Sequence, residues 1–187
     1  MSYFPMFYSL DNKNILLIGG GYIAYEKLEK LLDFTKNISI ISPLLNDDMK
    51  NKIKEYDLPY KKNKYEVGNY KNYDIIIVAV DDFDVQKSIY EETRNTSCLC
   101  NCVDFAKYCD FIFPSYVKKE DLVIAISTSG SSPALAKALK VYIRNKIPSN
   151  ITEFLKEMKN LRTSMPKGKD RMNYFEEKVK EYMKSWN

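Results

Sequence analysis

The seven residues Asp74-Ile75-Ile76-Ile77-Val78-Ala79-Val80 form an almost unbroken aliphatic run, as expected of a strand buried on both faces of a parallel sheet with helices packed over it. The surrounding hundred residues fit such a sheet. Asn14-Ile15-Leu16-Leu17-Ile18 stops at Gly19-Gly20-Gly21, after which Ala24, Leu28, Leu31 and Leu32 recur at helical spacing. That stretch reads as strand, glycine turn and helix. Asn37 to Ser42 reads as a strand ended by Pro43, Leu44 to Tyr56 as a polar-faced helix, and Leu58 to Lys64 as the place of a short third strand. A helix over Asp84 to Asn95, capped by Asp82 or Asp84, and a strand over Ser97 to Val103 complete the series. Strands alternating with helices predict an α/β fold, a doubly wound, Rossmann-like parallel sheet whose ligand crevice lies at the carboxyl ends of the strands.

Beyond Phe113-Pro114 the pattern changes to one strand, Leu122 to Ser127, a Ser/Gly turn, and a helix from Pro133 to Lys146. Two further amphipathic helices, near Ile151 to Ser164 and Arg171 to Trp186, are split by the loop Met165-Pro166-Lys167-Gly168. At 187 residues the chain suits one ordinary domain with an extension. No apolar run approaches the ~20 residues of a membrane span, and the first residues show no basic stretch followed by an apolar one. A cytoplasmic location is therefore expected, with no membrane partner.

Histidine is absent, which excludes Ser-His-Asp triads and His-ligated zinc and leaves proton transfer to Asp, Glu, Lys, Tyr or Cys, or to the substrate and solvent. Charge is unevenly spread. Residues 1–113 carry 14 Lys and Arg against 17 Asp and Glu, whereas residues 114–187 carry 15 against 8, a net of +7. A basic second part suits an anionic partner, or it is simply a solvated helical surface.

Gly19-Gly20-Gly21-Tyr22-Ile23-Ala24 fits G-x-G-x-x-A between a strand and a helix. There Gly19 permits the tight turn, Gly21 lets a pyrophosphate approach the backbone amides, and Ala24 allows close helix packing. The second strand ends at Ser42-Pro43, with neither an acidic nor a basic residue, so charge does not choose between NAD and NADP. Cys98, Cys100 and Cys102 share one strand face and Cys109 follows. In a reducing compartment they read as small core residues rather than metal ligands, and no bound metal is expected. Asp104 stands just past a buried strand at the mouth of the crevice, as a ligand-facing carboxylate or a turn residue. Asp81 and Asp82 either cap the next helix or meet the adenosine side of a nucleotide. Ile126-Ser127-Thr128-Ser129-Gly130-Ser131-Ser132-Pro133 is a hydroxyl-rich turn suited to binding anions or to capping the helix that follows.

Together, Phe4-Pro5-Met6-Phe7, the glycine loop with Lys27, Ala79-Val80-Asp81-Asp82, Asn101-Cys102-Val103-Asp104, Phe111-Ile112-Phe113-Pro114 and Ala125 through Ala136 resemble the precorrin-2 dehydrogenases, which include the dehydrogenase/ferrochelatase module of siroheme synthases. The resemblance spans about residues 3–146. It implies NAD-dependent oxidation of precorrin-2 to sirohydrochlorin in siroheme biosynthesis, with ferrous iron inserted by some members. It further implies an NAD-binding Rossmann domain over 1–113, a dimerisation segment over 114–147, a helical region over 148–187, and a homodimer. Carried onto matching positions, it places the glycine loop, with Gly19, Gly21, Tyr22 and Ile23, and the strand end Ser42-Pro43 at the cofactor, where Asp81 and Asp82 are expected to join them, and makes Asp104 the catalytic aspartate. The serine turn, Ser127, Thr128, Ser129 and Gly130, is placed at the substrate. Departures include Val80 where Thr is usual, Glu26 before the Lys where Arg is usual, Thr35 for a helix-ending Gly, and Ser129 for Gly.

A tetrapyrrole with eight carboxylates agrees with the basic second part, and a crevice carboxylate suits the pyrrole proton lost on oxidation. The competing readings are a non-catalytic nucleotide-sensing Rossmann module and a nucleic-acid binder using the basic helices. The first leaves the serine turn unexplained, and no nucleic-acid partner is expected.

Overall fold

The computed structural model describes residues 3–186, and the chain divides after Ile112 into two compact units. In the first unit β1 (Ile15–Ile18), β2 (Ile38–Ile41), β3 (Tyr60–Lys61), β4 (Ile75–Val78) and β5 (Leu99–Cys102) form one parallel sheet in the order β3-β2-β1-β4-β5. Helices α1 (Tyr22–Leu32), α2 (Asp47–Tyr56) and α3 (Phe83–Thr93) connect them. The chain runs outward from β1 to β3 and then returns to β4 on the other side of β1. The topological switch thus lies between β1 and β4, where such sheets bind ligands.

The aliphatic runs fold this way because every residue of β1 and β4 is buried. Each fully buried Leu, Ile or Val contributes roughly 1.5–3 kcal/mol. Leu16, Ile18, Ile76 and Val78 pack with Ile89 of α3 and with Cys98, Cys100 and Cys102 in one apolar cluster. All four cysteines are free thiols. Burial pushes the Cys98 thiol up to about 12, and contact with Cys102 together with burial raises Cys100. These two thiols stay protonated and serve as packing, as expected from their alternation.

Several boundaries differ from the sequence reading. The second helix starts at Asp47 rather than Leu44, because Asn46 caps it by accepting from the Met49 amide at 2.8 Å. Between the two capping candidates of α3, the structure selects Asp82, whose Oδ1 accepts from Val85 N at 3.1 Å. The third strand shrinks to two residues.

In the second unit a strand absent from the sequence reading, β6 (Ser115–Lys119), pairs antiparallel with β7 (Leu122–Ile126). The hairpin turn places Glu120 at φ 50°. Only Val117 of β6 is fully buried, so the strand carries one apolar anchor among polar residues and leaves little period to read. Helices α4 (Pro133–Lys146), α5 (Ile151–Ser164) and α6 (Lys169–Met183) follow, the last starting directly after Gly168 rather than at Arg171. Val117, Ile147 and Ile151 form the core of this unit, beside Phe154 stacked on Tyr182 with ring centroids 3.9 Å apart. No helix among the described residues is long and apolar enough to cross a membrane.

Candidate functional site

At the exit of β1 the chain consists of backbone alone. Gly19 adopts φ 127° and donates its N–H to Ile41 O at 2.9 Å. A Cβ at Gly19 would overlap the Ala79 carbonyl, and one at Gly20 would overlap the Leu44 carbonyl and crowd Ser42 Oγ. These two glycines hold three strand exits against one another. Gly21 differs, because a Cβ there would meet nothing within 4 Å. It is the extended N-cap of α1, and no side chain caps that helix, whereas α2 and α3 are capped by Asn46 and Asp82. The amides of the first turn therefore open onto free space with the positive end of the helix dipole behind them. Tyr22 and Ile23, 65% and 44% exposed, flank the opening. This arrangement fits a dinucleotide pyrophosphate.

Ser42 is buried at the exit of β2. Its hydroxyl donates to Leu44 O at 2.6 Å, and its carbonyl accepts from the Tyr60 hydroxyl at 2.9 Å. The side chain thus shapes the exit, and Pro43 supplies the exposed surface there.

The exits of β4 and β5 are built from side chains. Val103 N donates to Val78 O at 3.1 Å, which brings the following Asp104 beside Val80 and the α3 amino end. Gln86 of α3, 1% exposed, donates from Nε2 to both Val80 O at 2.8 Å and Asp104 Oδ2 at 2.9 Å. Asp104 and Asp81 are exposed. The loop beyond Asp104 is pinned in three ways. Cys109 Sγ donates to Cys102 O at 3.0 Å, Asn101 Nδ2 donates to Phe111 O at 2.7 Å, and Arg94 forks both oxygens of Asp110 at 2.8 Å. Asp110 also accepts from Cys100 N at 2.8 Å, and the Arg94 guanidinium lies 3.7 Å from the Tyr90 ring centroid. Burial alone would raise the Asp110 carboxyl, but the Arg94 fork and the Cys100 amide outweigh it and hold the group below its ordinary value. Lys27 of α1 completes the cluster. Burial and the neighbouring Lys30 lower its ammonium, against the pull of Glu26, Asp104 and Cys109.

Gly19 to Ile23, Ser42-Pro43, Asp81-Asp82 and Asp104 thus meet at one end of the sheet, as the strand exits require. Gln86 and Lys27 join them without having been singled out as site residues from sequence. The signal for Gln86 was a polar residue in the buried stripe that it shares with Ile89 and Thr93. No group of three or more His, Cys, Asp or Glu among the described residues is arranged to hold a metal ion.

The serine turn belongs to the second unit. Ser127 Oγ accepts from Ser129 N at 3.0 Å, Thr128 Oγ1 accepts from Ser132 N at 3.1 Å, and Ser132 Oγ caps α4 through Leu135 N at 3.2 Å. Ser129 and Gly130 both take positive φ, 51° and 85°. Ser129 therefore occupies a conformation that favours glycine, the residue usual there by resemblance.

A family model described as putative NAD(P)-binding, NAD_binding_7, matches residues 6–115. The siroheme synthase of Pseudoalteromonas translucida is 32% identical over 151 residues, covering 81% of this chain and 32% of that protein. The siroheme synthase of Photobacterium profundum is 26% identical over 167 residues, covering 89% of this chain and 36% of the relative. The chain thus spans about a third of the length of these relatives. Among solved structures, SirC, a precorrin-2 dehydrogenase, superposes with a TM-score of 0.78 at 24% identity, covering 92% of this chain and 86% of the other, and so shares the fold.

Proposed function

We propose, since the chain belongs to the NAD_binding_7 family of putative NAD(P)-binding proteins, that it is an NAD-dependent precorrin-2 dehydrogenase. Precorrin-2 and NAD⁺ give sirohydrochlorin, NADH and a proton. The observation that carries this reading is the pairing, at one end of the sheet, of an uncapped glycine-lined helix start with a carboxylate held by a buried amide. The names of the relatives, siroheme synthase and precorrin-2 dehydrogenase, supply the substrate class.

In this reading the amides around Gly19, Gly21, Tyr22 and Ile23 bind the pyrophosphate, and the β2 exit at Ser42-Pro43 receives the adenosine side. Asp81, just beyond β4, faces the adenosine side as well, while Asp82 contributes by fixing the start of α3. When bound, NAD supplies the nicotinamide that accepts the hydride. Asp104 takes the pyrrole N–H proton on its carboxylate, which stands exposed at the β5 exit and is held there by Gln86. Ser127, Thr128, Ser129 and Gly130, with the net +7 of residues 114–187, receive a substrate carrying several carboxylates. The second unit, through residues 114–147, pairs two copies in a cytoplasmic homodimer.

The test is anaerobic turnover of enzymatically generated precorrin-2 with NAD, followed by the sirohydrochlorin spectrum. Asp104→Asn is expected to lower turnover by about 10²–10⁴-fold, the range for a lost general base, with melting temperature and NAD affinity retained. Wild-type rates in that variant, or no NAD-dependent oxidation by the parent protein, would overturn the reading. Adding Co²⁺ to the product reads metal insertion as a second activity, with the ion as substrate, and sedimentation reads the dimer.

A further inference from the structure

We infer that Gln86 is the positioning residue for Asp104, tying its carboxylate to the end of β4 so that the proton acceptor keeps one place in the crevice. This rests on the reading of Asp104 given above. Gln86 is 1% exposed, inside a helix stripe where an apolar side chain would pack without any polar demand. Its amide nitrogen has two hydrogens, and both are used, at 2.8 Å on Val80 O and at 2.9 Å on Asp104 Oδ2. The two acceptors also fix the orientation of the amide, because the flipped form would set its oxygen against a carbonyl and a carboxylate. Oε1 meanwhile lies buried with no hydrogen-bond partner. A buried acceptor left unsatisfied for the sake of two donated bonds marks a place where geometry outweighs local stability.

The framework behind Gln86 is equally fixed. Its N–H donates to Asp82 O at 3.0 Å within the α3 amino end, and its carbonyl accepts from Cys102 Sγ at 3.4 Å. One residue therefore connects α3, the exit of β4 and the exit of β5. Asp104 stands on an exposed turn, where a carboxylate without such a tether samples several rotamers. Catalysis by a positioned base is sensitive to that freedom.

The test uses Gln86→Glu and Gln86→Met in the full chain. The titratable and charged groups around the pair are Lys27 from α1, Asp82 from the α3 end, Cys102 at the end of β5 and Cys109 from beyond it. A carboxyl group in place of the amide keeps the shape of the side chain but can donate to Asp104 only when protonated. Turnover of Gln86→Glu is expected to fall about tenfold or more at pH 8, in the range of a misplaced catalytic group, and to recover toward wild type near pH 6. Gln86→Met, which has no donor at any pH, should show the loss without the recovery. In both variants NAD affinity should be unchanged. In the Asp104→Asn background either substitution should add nothing, because the residue it serves is gone.

The inference is overturned if folded, NAD-binding Gln86→Met turns over within about twofold of wild type. It is equally overturned if either substitution costs as much in the Asp104→Asn background as alone, since that marks a purely structural role. Should Asp104→Asn by itself retain wild-type turnover, the functional reading of Asp104 fails first, whatever the Gln86 variants do. Melting temperature and NAD titration of each variant separate folding loss from positioning loss, and Gln86→Met keeps the test open if the buried carboxyl of Gln86→Glu prevents folding.

Discussion

The exit of β1 and the exits of β4 and β5 stand side by side on the same sheet yet are built from opposite materials. At β1 the chain offers bare glycine backbone, a helix with no side-chain cap, and open space beside Gly21. At β4 and β5 almost every group is engaged: Asp82 caps α3, Gln86 joins Val80 to Asp104, and Cys109 Sγ donates to Cys102 O. The contrast reflects two kinds of work. Binding a pyrophosphate needs amides that nothing else has claimed, whereas moving a proton needs a carboxylate that stays where it is put.

Within the β1 exit the glycines themselves differ, and the largest effect is expected at Gly19. Gly19→Ala combines a φ of 127° with a Cβ overlapping the Ala79 carbonyl. Strain and overpacking together should cost about 2–4 kcal/mol. Urea unfolding would register that loss, and an unchanged midpoint would show that the turn does not hold the strand exits together.

Where the loop beyond Asp104 runs back along β5 and is pinned to Cys100 and Arg94, Asp110→Asn should cost about 1–2 kcal/mol, the scale of a hydrogen-bonded charge that remains partly solvated. The folded-state pKa of Asp110 lies below its unfolded value near 3.9. Its contribution is therefore complete above about pH 4–5 and is lost as pH falls through the depressed value. Urea midpoints measured from pH 7 to pH 3 should fall in acid for the parent protein and less steeply for Asp110→Asn. Parallel curves would remove Asp110 from the clamp.

Gly21→Ala sharpens the comparison from the open side. Gly21 has φ −86° and no neighbour within reach of a Cβ, so stability should change by no more than about 0.5 kcal/mol. NAD affinity should nevertheless fall by about tenfold, because the new methyl enters the space through which a pyrophosphate approaches the amides. Calorimetric titration with NAD checks this, and undiminished affinity would place the cofactor elsewhere.

Legibility in the sequence follows how local each cause is. β1, β4 and the glycine turn were readable because burial on both faces leaves continuous aliphatic runs and because a glycine motif between strand and helix has few other uses. The alternating cysteines were readable as core for a similar reason. β6 was not, since Ser115, Tyr116, Lys118 and Lys119 surround a single buried Val117 and carry no usable alternation. Gln86 escaped notice as a site residue because its partners, Val80 and Asp104, lie 6 and 18 residues away. Only the sheet topology brings them together. Ser42 was visible as a residue of the crevice, but its hydroxyl is engaged with Leu44, a contact made by the shape of the turn rather than by any pattern.

The smallest effect is the one that separates capping from binding. The sequence allowed Asp82 either to cap α3 or to face a nucleotide, and its Oδ1 accepts from Val85 N at 3.1 Å. Removing such a cap costs about 1 kcal/mol. Asp82→Ala should therefore lower stability by that amount, and Asp82→Asn, which keeps the accepting oxygen, by much less. NAD affinity should be nearly unchanged in both, since the helix that presents its amides to the cofactor is α1. If Asp82→Ala instead weakens NAD while leaving the urea midpoint alone, the two exits do not divide the work, and the β4 side takes part in binding as well as in holding Asp104.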